Sequence, residues 1–127
     1  MVAWTDYKEA AVERGSLALE LYVVLSEPAG APDEVKRVLP EHLAYQAEQE
    51  GLGTLAFAGP LSDETGEAMN GTGLIVYRAG SLDAARALAD ADPMHAQGAR
   101  TYRIRRWLVN EGSLTLQVKL SAQRVTL

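Results

Sequence analysis

His42, Asp92 and His95 are the side chains of this sequence best suited to moving a proton. Imidazole is the side chain whose ordinary charge change falls near neutral pH. A carboxylate bonded to one ring nitrogen fixes the tautomer and stabilises the charge after proton uptake. Asp92 is followed by Pro93, and proline disfavours helical geometry at the residue before it. The stretch Leu88-Ala89-Asp90-Ala91-Asp92-Pro93-Met94-His95 therefore reads as a helix stopped at a turn, with a carboxylate at its exposed end. His42 falls in the first turn of a helix starting at Pro40, where the positive end of the dipole keeps a ring neutral and ready to accept a proton. Asp90 points elsewhere around its helix and reads as solvated. No nucleophile stands beside the pair, and the chain has no cysteine, so proton transfer suits these residues better than covalent catalysis.

Further side chains are candidates for holding a substrate. His95 either touches substrate or joins His42 and Asp92 as a two-histidine, one-carboxylate metal site. No recurrent ligand spacing supports the metal, so neither metal nor cofactor is expected. Gly59 and Pro60 end a strand, and a glycine there lets a ligand approach the backbone. Arg103, with Arg100, Arg105 and Arg106, reads as an anion clamp or as the solvated side of an edge strand. Tyr22, with Tyr77, Phe57 and Trp107, belongs first to a core or an interface and secondly to a pocket wall. The expected site is thus His42 and Asp92 for chemistry, with His95, Gly59, Pro60, Tyr22 and Arg103 around the substrate.

Positioning these residues is the task of the elements. A chain of 127 residues builds one core-forming domain, 1–127, without staples. A net charge of −5 leaves no basic excess for a nucleic-acid backbone. No signal-like start and no run of roughly 20 apolar residues appear, so a cytoplasmic protein away from membranes is expected. Residues 5–14 read as a helix capped by Thr5. Leu17 to Leu25 alternates as a strand. Asp33 to Val38 forms at most a helical turn, and the main helix runs from Pro40 to Glu50, capped by Gly51. Strands follow at 52–58 and 73–79, separated by a polar loop. Ser81 caps a second helix, Tyr102 to Val109 is a fourth strand, and residues 113–127 form an extended, alternating tail.

After the first helix the order is β-α-β-β-α-β, the split βαβ or ferredoxin-like arrangement: an α+β fold whose antiparallel sheet carries both helices on one face. The bare face needs cover, and a second copy would supply it. Connectivity also collects His42, Gly59-Pro60, the 61–72 loop and Asp92 on one rim of the sheet.

The spaced residues Pro40-Glu41-His42-Leu43, Phe57-Ala58-Gly59-Pro60-Leu61, Ser81-Leu82, Ala89-Asp90-Ala91-Asp92-Pro93 and Arg106-Trp107 resemble the YciI-like (YCII-related) family over a core of about 17–110. The resemblance implies a homodimeric α+β barrel and an active-site histidine and aspartate, carried here by His42 and Asp92. One member type is a dehydrochlorinase acting on a chlorinated hydroxyquinol, and the fold is shared with muconolactone isomerase. The leading expectation is a small cofactor-independent enzyme that performs proton transfer, isomerisation or elimination on a small cyclic oxygenated substrate. The alternative is a non-enzymatic dimer that binds a small ligand, or regulates, through the same cleft.

Overall fold

The computed structural model describes residues 1–127, which divide into two compact units, Met1–Leu19 with Leu108–Leu127, and Glu20–Trp107. In the first unit, helix α1 (Trp4–Glu13) starts from Ala3, one residue earlier than the sequence predicts, and has no side-chain cap. The Leu17 amide donates to the Asn110 carbonyl at 3.1 Å. The predicted extended tail contains a hairpin: β5 (Gln117–Lys119) pairs antiparallel with β6 (Arg124–Thr126), Val118 opposite Val125. Its turn brings Gln123 to φ 49° without a glycine or Asn-Gly signal, so no turn residue announces it.

The second unit holds the sheet. Strands β1 (Leu19–Pro28), β2 (Leu55–Pro60), β3 (Gly73–Tyr77) and β4 (Arg100–Val109) lie in the order β2-β3-β1-β4. The registers are antiparallel, with Val24 opposite Ile75 and Ala58 opposite Ile75 on the other side. This is the ferredoxin-like order. Alternation sends Val24, Ile75 and Tyr77 to one face, where they pack on Ala89 and Leu88 of α3 (Leu82–Ala91), together with Tyr102 and Ile104. Ser81 caps α3 as expected, its hydroxyl accepting from the Ala84 amide at 3.1 Å.

Helix α2 (Pro32–Leu52) is one continuous helix of 21 residues, with Pro40 inside it. The sequence predicts a break there. The helix survives because both halves are held: Val38 packs against Met94 and Ala99, and the Tyr45 hydroxyl donates to the Leu88 carbonyl at 2.7 Å. Its C-cap is Gly53 at φ 81°, not Gly51, so β2 begins later than predicted. Pro40 removes the amide that would bond the Lys36 carbonyl, a substantial cost in a helix interior. Pro40→Ala is expected to stabilise the protein by about 1–2 kcal/mol, after the extra freedom of the unfolded chain is subtracted. Thermal denaturation checks this; an unchanged or lowered Tm would show that the proline costs the helix nothing.

No helix is long and apolar enough to cross a membrane.

Candidate functional site

Pro93 does at Asp92 what the sequence requires. Helix α3 ends at Ala91, and the short helix α4 (Pro93–Ala96) starts from Asp92 with proline at its first position. Asp92 thus closes one helix and caps the next, its Oδ1 accepting the Met94 amide at 2.9 Å. Its backbone carbonyl accepts from the His95 and Ala96 amides at 2.9 and 2.8 Å. The carboxylate is fully buried.

Opposite it stands His42, fifty residues earlier in the chain. His42 Nδ1 lies 2.8 Å from Asp92 Oδ1 and 2.9 Å from Oδ2. A carboxylate only accepts, so Nδ1 carries the proton and Nε2 is left with its lone pair. The ring is 15% exposed, so its outer edge reaches solvent. The sequence predicts His42 in a first helical turn, but the continuous α2 puts it mid-helix, away from the positive end. The dipole therefore contributes nothing here, since its effect fades within the first turn. Asp92 alone fixes the tautomer.

A second polar chain runs from the same turn. His95 Nδ1 donates to the Ala89 carbonyl at 2.7 Å, which makes Nε2 the acceptor. The Ser26 hydroxyl, buried at the end of β1, donates to that Nε2 at 2.8 Å. Ser26 Oγ in turn accepts from Arg100 Nε at 2.8 Å. Both ring nitrogens of His95 are thus engaged by protein, and no group of three or more His, Cys, Asp or Glu side chains converges as metal ligands. The Tyr102 ring packs on His95 with centroids 4.7 Å apart. Asp90 is not simply solvated: it accepts the Tyr102 hydroxyl at 2.5 Å.

Burial pushes His95 below the ordinary histidine value of 6.5, and Arg100 and His42 push the same way. The unfolded chain regains the ordinary value, so between the two the unfolded state binds more protons and stability rises with pH. This contribution is complete above about pH 6.5 and is lost as pH falls through the folded value. The Tm of the protein is therefore expected to drop more steeply between pH 7 and 5 than that of His95→Gln, whose amide offers a donor and an acceptor without titrating. Parallel curves for the two proteins would overturn this account.

The other expected residues lie outside both chains. Gly59 and Pro60 close the edge strand β2, exposed, opposite Leu74 and Gly73. Tyr22 is buried near the far end of β1, and its hydroxyl donates to Glu20 Oε1 at 3.1 Å. Arg103 is exposed on β4, and by alternation it faces away from Arg100, Tyr102 and Ile104. Sequence reasoning missed Ser26 and gave Arg100 no precedence over its neighbours. A hollow of about 310 Å³ lies between α2 and β2, lined by Leu43, Glu50 and Phe57 among others. Another of about 520 Å³ lies in the 61–72 loop region. Neither is lined by His42 or Asp92.

A family model for the YCII-related domain matches residues 20–108, which take in both polar chains and the whole second unit. This chain belongs to the YCII-related family. The YCII-related domain leaves α1 and the β5–β6 hairpin outside the match. No curated protein matches the chain. Among solved structures, it is similar to 5-chloro-2-hydroxyhydroquinone dehydrochlorinase (TftG) from Burkholderia phenoliruptrix AC1100, in complex with 2,5-dihydroxybenzoquinone. The identity is 19%, the TM-score is 0.50, and the match covers 68% of this chain and 92% of that one. At that identity the likeness supports the ferredoxin-like fold of this YCII-related domain.

Proposed function

We propose that this YCII-related protein is a small cytoplasmic, cofactor-independent enzyme that moves a proton on a small cyclic oxygenated substrate, in an isomerisation or an elimination. The observation that carries this reading is the hydrogen bond of His42 Nδ1 to the fully buried Asp92, which leaves Nε2 as an oriented base at the surface. Nε2 takes a proton from an acidic C–H or O–H of the substrate. Asp92 stabilises the resulting imidazolium. In an isomerisation the ring returns the proton at another atom. In an elimination the electron pair left behind expels a leaving anion, and His42 later releases its proton to water.

The sheet face opposite the helices supports a homodimer. Register and alternation place Val23, Leu25, Leu74, Val76 and Phe57 there; Val76 is buried and Val23, Leu25 and Leu74 are partly so, while Phe57 is more than half exposed, so the surface left for a second copy to cover is centred on Phe57.

The test is chloride release from 5-chloro-2-hydroxyhydroquinone, whose elimination the structural neighbour's name describes. It is paired with solvent-deuterium exchange into the ring of 2,5-dihydroxybenzoquinone. Catalysis of either, lost on replacing His42, supports the reading. Binding without catalysis of either would favour the non-enzymatic ligand-binding dimer.

A further inference from the structure

Arg100 opens β4, and one edge of its guanidinium is fully occupied. Nε donates to Ser26 Oγ and Nη2 to the Ser26 carbonyl, at 2.8 and 2.7 Å, and Nη2 also donates to the Gly71 carbonyl. Those bonds consume three of the five guanidinium protons. Every acceptor is neutral. The charge is half-buried, and desolvation pulls this guanidinium down from its ordinary range, while only Asp92 and Glu27 oppose the shift. Asp92 is already engaged by His42 and the Met94 amide, and Glu27 is exposed. Arg100 thus keeps a partly desolvated cation with no ion-paired carboxylate and two Nη1 protons without an acceptor. Nη1 is not a buried orphan, so it is open to solvent and to a ligand.

The support behind Arg100 is rigid. Because His95 Nε2 receives the Ser26 proton, a lone pair of Oγ is turned toward Arg100 Nε. The chain Arg100–Ser26–His95 then returns to the α3–α4 turn, where the His95 amide bonds the Asp92 carbonyl. The same turn therefore fixes the base pair and the cation.

We propose that the free Nη1 edge of Arg100, tied through Ser26 and His95 to the turn that carries Asp92, is an anion subsite, and that the ligand presents an ionised oxygen to it, a phenolate, an enolate or a carboxylate. This rests on the proton-transfer reading of the His42–Asp92 pair. Loss of a proton from an oxygenated ring delocalises negative charge onto oxygen, and a fixed fork of donors stabilises that charge without reorganising.

The experiment titrates the protein with 2,5-dihydroxybenzoquinone, whose acidic ring hydroxyls are ionised at neutral pH, and with its neutral 2,5-dimethoxy ether. The wild type is expected to bind the anion at least tenfold more tightly than the ether. Arg100→Gln is expected to remove at least tenfold of the anion affinity, with Arg100→Lys intermediate, because a point charge replaces the fork. Equal affinity for anion and ether in the wild type, no binding of the anion, or full anion affinity in Arg100→Gln overturns the subsite. The wild-type comparison holds even if Arg100→Gln fails to fold. Unchanged anion binding in Arg100→Gln beside a catalytically dead His42→Asn defeats the subsite alone. Lost binding in Arg100→Gln beside a fully active His42→Asn defeats the proton-transfer reading alone.

Discussion

His42→Asn is expected to lower turnover about 10²–10⁴-fold, the usual contribution of a positioned general base. Asparagine is the informative choice. Its side-chain amide sits near where Nδ1 stands and can donate to Asp92, which His42 now reaches at 2.8 Å. It offers nothing at the Nε2 position that can take up a proton. The fall should appear in kcat, with KM changed little, because ground-state binding does not depend on the basicity of that atom. Stability should stay within about 1 kcal/mol, since the helix pays only the modest propensity difference of an asparagine. Chloride release or deuterium exchange under saturating ligand, run beside thermal denaturation, reads both quantities. An active and stable His42→Asn would remove the base from the mechanism. An inactive variant with a collapsed Tm would make His42 a fastener of α2 to the α3–α4 turn.

The contrast between Asp92 and Arg100 shows what a sequence can reveal about such a site. Asp92 was legible because its cause is local: Pro93 ends α3 whatever lies elsewhere, and the carboxylate must then sit at a helix junction. The meeting with His42 was legible from strand and helix order, which places chain-distant residues on one rim. Local rules misjudged the environment of His42, because Pro40 looks like a helix start and only packing of Val38 and Tyr45 carries α2 through it. Arg100 was hidden among similar residues. It and Arg106 share a strand parity, and only a serine 74 positions earlier, at the end of β1, separates the one from the other. The hairpin at the C-terminal end was hidden for a related reason: its turn uses Gln123 in a left-handed conformation, where sequence rules look for glycine.

Asp92 offers the sharper division between chemistry and support, because two substitutions remove different things. Asp92→Ala removes the α4 cap by stranding the amide of Met94, a residue 2% exposed, and it strands the Nδ1 proton of His42 as well. Each donor left without a partner costs about 1–3 kcal/mol, so the total is expected at about 2–6 kcal/mol. For a chain of this size that lowers Tm by roughly 10–20 °C. Asp92→Asn keeps an Oδ1 atom, and in the wild type Oδ1 is the atom that faces both Met94 N and His42 Nδ1. Its Nδ2 replaces Oδ2, which stands 2.9 Å from His42 Nδ1, so the ring keeps a partner there by accepting at Nδ1 with its proton moved to Nε2, and stability should remain within about 1 kcal/mol of wild type. What it lacks is the negative charge that stabilises the imidazolium, so its turnover should fall toward that of His42→Asn. Asp92→Asn that is stable but inactive is the result a proton-transfer site requires. If it keeps full turnover, the carboxylate charge plays no part in the chemistry. If it melts as early as Asp92→Ala, the buried charge itself holds the α3–α4 turn together, and the pair is a structural device.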